Sequence, residues 1–139
     1  MKMKLLAAFA GAAIVAAATA PLVAHHPFAA DYDAMRPVKL NGSVTKVEWV
    51  NPHVWIHLKT ERGEEWMVEG GAPNTLLRRG FTRSSLAPGT EIVVDGYQSK
   101  DGSLRANGRA LTFPDGRKLF LGSSGTGAPR DGLDPQERR

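Results

Sequence analysis

"VKLNGSVTKVEWVNPHVWIHLKT", residues 38–60, holds both a fault in strand register and a corner. Leu40, Gly42 and Val44 keep a period of two, but the next apolar residues, Val47 and Trp49, fall out of phase with Val44. A slip of one residue inside a long strand suggests a β-bulge, or a bend with Gly42 as a helper. Pro52 cannot donate to a ladder, so Asn51-Pro52 ends the run. Asn51 is suited to bonding the backbone two residues on, and Pro52 fixes φ, which together make a defined corner. "HVWIHLKT" (53–60) then alternates cleanly. Val54, Ile56 and Leu58 share one face, and His53, Trp55, His57 and Lys59 the other.

The elements that follow settle the class. "ERGE" is a turn into a third strand, "EWMVEG" (65–70). In "GGAPNTLLRRGF" the period changes: Pro73 suits a first helical turn, Leu76 and Leu77 form an apolar side, and Gly80 suits a helix end. "TEIVVDGYQS" (90–99) is a fourth strand, "KDGS" a hairpin turn and "RANGRALTFP" (105–114) a fifth. A long bent strand, two strands, one short helix and two strands is the order of an OB-fold. The expectation is therefore a mostly β, OB-fold-like five-stranded, partly open barrel over 38–121, with one short helix between strands 3 and 4. A small β-sandwich is the competing architecture. "GSSGTGAPRDGLDPQERR", from residue 122 to 139, is rich in Gly, Pro and charge, and its composition predicts a disordered tail.

The other end of the chain reads as a leader. Lys2 and Lys4 precede an uncharged run from Leu5 to Ala20, and "PLVA" closes on Ala24. A basic start, a short apolar stretch and a small-residue end make a secretory signal peptide, 1–24. The run is too short and too rich in Ala and Gly for a transmembrane span of about 20 strongly apolar residues. Ala18 and Ala20 match the cleavage pattern by letter, but a cut after Ala20 leaves Pro21 first. A cut after Ala24 is expected instead, with a retained anchor as the alternative. The mature chain then begins at His25 in an N-terminal segment, 25–37, and is periplasmic or secreted, with no stable membrane anchor.

Export changes how the charge is read. The whole chain carries 18 basic and 14 acidic residues, a net +4. Without Lys2 and Lys4 the balance falls to about +2, too even to neutralise many phosphates, and nucleic acid is not an expected partner. The chain has no cysteine, which excludes disulfides, thiolate metal sites and thiol catalysis. It also contains no G-x-S-x-G elbow, P-loop, G-x-G-x-x-G or H-E-x-x-H, and no catalytic residue is assigned. Asp31 and Asp33 in "DYD" read as a solvated loop.

Four segments carry a resemblance: "AHHPFAADYD", "GSVTKVEWVNPHVWIHL", "GGAPNTLLRRGFTRSSLAPG" and "GRALTFPDGRKLF". In these the chain resembles a family of small exported bacterial proteins with a domain of unknown function, typified by an AHHSFAAEYD-like start and an NPHxW motif. This chain departs from it with Pro27 where the family has Ser. The resemblance implies an exported, compact β-rich protein and points to His25, His26, Asn51, Pro52, His53 and Trp55. It implies no activity.

All four histidines lie within residues 25–57. One reading is a metal site: the α-amine and ring Nδ1 of a mature His25, with His26 and His53 near, form a nitrogen set suited to copper. His53 and His57, four residues apart on a strand, are separated by about 13 Å and do not share an ion. The other reading is a solvated terminal pair with two hydrogen-bonded strand histidines, and no cofactor. Trp55, beside His53 on the face opposite the Val54/Ile56/Leu58 stripe, belongs to a binding face. Trp49 and Trp66 either extend it as a stacking platform or fill the core. Arg78, Arg79 and Arg83 suit the helix C-terminus, or else an anion or lipid contact. The leading expectation is a non-enzymatic periplasmic OB-like binding protein using Asn51, His53, Trp55 and His57. Its partner would be a small molecule, a cell-wall sugar or an envelope protein. The alternatives are copper handling through the N-terminal histidine and, further off, a histidine-brace redox enzyme.

Overall fold

The computed structural model describes residues 27–139. The elements run α1 (Phe28–Asp31), β1 (Tyr32–Glu48), β2 (Trp55–Thr60), β3 (Glu65–Glu69), α2 (Pro73–Arg78), β4 (Glu91–Ser99), β5 (Arg105–Thr112) and β6 (Lys118–Phe120), followed by a 3-10 turn at Pro135–Arg138. β1 pairs antiparallel with β2 on one side and β4 on the other. β2 continues to β3 and β4 to β5, again antiparallel. β3 and β5 then meet in parallel, Met67 opposite Arg105 and Glu69 opposite Asn107, which closes the sheet into a ring. This is the mostly β, OB-like barrel expected from the element order, with α2 in the gap between β3 and β4. The sixth strand, β6, extends β5 through Ala110↔Phe120 and Thr112↔Lys118. It is too short, and too close to the Asp115-Gly116 turn, to stand out in the sequence.

The slip read between Val44 and Val47 is a bulge. The ladder pairs Val44 with Leu58 and then Lys46 with His57, so Thr45 is the extra residue. Bulges sharpen strand twist and let one long strand serve two sides of a ring. Gly42 makes the bend possible: a Cβ there would lie 2.2 Å from the Lys59 carbonyl oxygen. Gly96 does the same on β4, where a Cβ would lie 2.1 Å from the Asn107 carbonyl oxygen.

Val54, Ile56 and Leu58 are fully buried and join Leu40, Val44, Val68, Ile92, Val94 and Leu111 in one core. The α2 connector adds Leu76, Phe81 and Leu86, while Leu77, expected beside Leu76, is largely exposed. Six helical residues present only one inward position at this spacing.

Residues 122–139, rich in Gly, Pro and charge, lie as a strap across β5. Arg109 of β5 is 1% exposed. Its Nε and an Nη donate to Asp131 at 2.9 and 3.1 Å, Glu137 lies 3.8 Å away, and the Phe120 ring stacks on the guanidinium. The strap carries few apolar residues, but it supplies counter-charge that a buried guanidinium requires. The N-terminal segment is held as well. The Phe28 N–H donates to the Thr126 carbonyl, and its ring meets Tyr97 edge-on at 5.4 Å.

Candidate functional site

Where β3 and β5 close the ring, their ends place Glu69 and Arg105 on the outer face. β1 enters from α1 at the same place, bringing Asp31 and Tyr32. The corner between β1 and β2 contributes Val50, Asn51, Pro52 and His53, and β2 opens with Trp55. These nine residues line a cavity of about 260 Å³. The Asn51–Pro52 peptide is cis.

Two hydrogen bonds organise the lining. The Tyr32 hydroxyl donates to Glu69 Oε2. Burial, and then this bond, hold the Tyr32 phenol far above its usual pKa, so it remains a donor. His53 Nδ1 lies 3.0 Å from the Gly70 carbonyl oxygen and 3.7 Å from Glu69 Oε1. A carbonyl only accepts, so Nδ1 carries the proton, and in the neutral ring Nε2 is the acceptor nitrogen.

The residues singled out in the sequence separate. Asn51, His53 and Trp55 come together in the cavity. His57 shares their face of β2 but lies off the lining, its Nε2 2.8 Å from Glu48 Oε2. Hydrogen bonds from His57 and then Lys46 hold the Glu48 carboxyl below the usual range. Trp66 is core, and its indole donates to Glu64 at 3.2 Å. Trp49 packs against the core under the Arg83 guanidinium, 5.2 Å from its ring centroid. Of the three tryptophans, Trp55 is the one that lines the cavity. The three arginines near α2 have separate tasks: Arg78 donates to Thr75, Arg79 to the Phe120 and Gly122 carbonyls, and Arg83 stacks on Trp49. His25 and His26 lie outside the described residues. Among the described residues no cluster of three or more His, Asp or Glu side chains suits a metal ion, and no helix is long and apolar enough to cross a membrane.

Sequence reasoning missed Tyr32, Glu69 and Arg105, and set Asp31 aside. Each reads locally as a loop or a solvated strand end. The usable signal was topological, because the OB plan makes strands 3 and 5 neighbours and so brings an acidic end of one beside a basic start of the other.

Nothing among curated proteins or solved structures matches the chain. The sequence profile described as a family of unknown function, DUF6152, matches residues 12–108, a span that contains every residue of the cavity and stops before Arg109 and the strap. Matched over more than half its length, the chain belongs to the DUF6152 family.

Proposed function

We propose that this protein is an exported, non-enzymatic binding protein whose small-molecule ligand sits in the cavity beside the β3–β5 seam. The observation that carries this reading is the lining itself. A half-buried Trp55 ring stands with Asn51, His53 and Arg105 around one concavity on the outside of an OB-like barrel. Strands 2 and 3 with the loop between strands 1 and 2 are the surface on which OB-folds bind ligands, and a concavity with an aromatic wall and a few convergent polar groups is the usual form of a small-molecule site. The leader supports export, and the absence of recognisable catalytic motifs from the sequence favours binding over catalysis. The test is a ligand screen read by the three indole N–H signals in 15N spectra. Ligands should move the Trp55 signal and leave Trp66 unmoved, and Trp55→Ala should abolish binding with little loss of stability. Binders that move Trp66 first, or that survive Trp55→Ala, would place the site elsewhere.

Copper handling is the second reading. It is favoured by the return of the N-terminal segment to the cavity, where Asp31 and Tyr32 line the same wall as His53. His25 and His26 are only five or six positions before Asp31 in the chain. One Ala inserted before His25 would separate the amine from the ring chelate and should sharply weaken Cu(II) binding in calorimetry. Unchanged binding would remove this reading and leave the cavity reading intact.

A further inference from the structure

Arg105 is the unusual group in the cavity. It stands half-buried at the start of β5, and among the described residues its side chain makes no hydrogen bond and no ion pair. Its Nε is sealed from water with no acceptor. Thr60 Oγ1 and Glu137 Oε2 are also enclosed without a partner, but one is a neutral hydroxyl and the other belongs to a carboxylate already beside Arg109. Two of the carboxylates near Arg105 are engaged elsewhere, and Asp31 shares the lining without forming an ion pair with it. Glu69 accepts from Tyr32 and faces His53 Nδ1, and Asp101 is bonded to Ser99 and Ser103 at the β4–β5 turn. An arginine Nε closed off from water without an acceptor is costly, and the guanidinium's fork of donors matches a carboxylate in plane.

We propose, resting on the cavity reading above, that the ligand is a small monocarboxylate with a flat or apolar body. Its carboxylate lies on Arg105 and its body against the Trp55 ring. The size follows from the volume, about 260 Å³, just under the usual range for ligand sites. The single charge follows from the lining, where one guanidinium stands with the carboxylates of Glu69 and Asp31. A second negative charge on the ligand would meet those two groups. Trp55 provides an apolar face of low conformational freedom, suited to a planar body.

The probe is benzoate, titrated into the 15N-labelled full-length protein. Benzamide, benzylamine and phenyl phosphate provide the comparison arms. Benzoate should shift the Trp55 indole N–H and the Arg105 Nε–H together and saturably, and the other three should bind about tenfold or more weakly. Arg105→Gln should reduce benzoate affinity by a similar factor without lowering the melting temperature. Arg105→Lys should restore only part of it, because a point charge lacks the planar fork. Equal binding of benzamide, or undiminished benzoate binding by Arg105→Gln, would overturn the carboxylate assignment while leaving a Trp55 cavity that binds flat molecules. Tighter binding of phenyl phosphate would reassign the anion. Failure of all four probes to shift Trp55 would remove both the carboxylate and the cavity reading.

Discussion

β5 carries two arginines four residues apart, Arg105 and Arg109, and the chain treats them in opposite ways. Arg109 is covered by the strap, held by Asp131 through two hydrogen bonds, approached by Glu137 and stacked on Phe120. Arg105 opens the same strand with none of these, facing a cavity. The buried guanidinium is satisfied from within the fold; the half-buried one has an enclosed Nε with no acceptor. A guanidinium satisfied by its own chain holds structure together, and one left without a counter-ion beside a cavity is available to a ligand. The contrast separates a structural region of the molecule, the strap and the outer side of β5, from the proposed binding region at the β3–β5 seam.

The largest effect that tests this contrast lies at Arg109. Removing one partner of a buried ion pair typically costs about 3–5 kcal/mol, because the other charge is left uncompensated. Arg109→Ala should fall near the lower end, about 3 kcal/mol, since Asp131 and Glu137 are each partly exposed and rehydrate as the strap lifts. Urea unfolding measures the loss, and limited proteolysis should cut first after Arg130. A stable variant with a protected strap would mean that apolar contacts, not Arg109, hold residues 122–139.

Acid should act on the strap in the same direction and more gently. Burial pushes the Asp131 carboxyl up, but hydrogen bonds from Arg109 and from the Leu133 N–H outweigh it, and the pKa is lowered overall. A group whose folded pKa is depressed contributes stability that is present above its unfolded pKa of about 3.9 and is lost as pH falls through the folded value. Strap protection, followed by hydrogen exchange, should therefore hold down to about pH 4 and decline below it. In Asp131→Asn this decline should disappear, with protection already reduced at neutral pH.

The smallest effect belongs to Arg105. Without a partner to strand, Arg105→Gln should change stability by no more than about 0.5 kcal/mol, or raise it, as substitutions away from structural networks do. A large destabilisation in urea would show that Arg105 supports the barrel closure, and the contrast between the two arginines would collapse.

Much of the barrel was legible because its signals are local. The phase slip between Val44 and Val47 marked the stretch in which the bulge lies, the alternation over 53–60 separated Val54, Ile56 and Leu58 from His53, Trp55 and His57, and Pro73 to Gly80 bracketed the helix. Each depends on side-chain period or backbone restriction, which neighbours in the chain determine. The site was legible in half. Asn51, His53 and Trp55 were placed together because one corner and one strand hold them, whereas His57 points along the same face to Glu48, beyond the cavity. The exposure of Leu77 and the contacts of the strap were not legible for one reason: composition does not tell which apolar position faces a core, or that Asp131 will meet an arginine 22 residues earlier.

The sequence by itself determined the strand order, the bulge, the corner and the inward stripe of β2, since period, proline and glycine act over a few residues. It also determined membership of its family, through motifs spread along the chain. Only the tertiary structure decided that β3 and β5 close in parallel, that Tyr32 donates to Glu69 across 37 residues, that Arg109 is buried under the strap and that Arg105 is left facing a cavity. Those outcomes turn on which charges meet when a ring of strands closes. Desolvation and pairing depend on position in space, and no stretch of neighbouring residues carries that information.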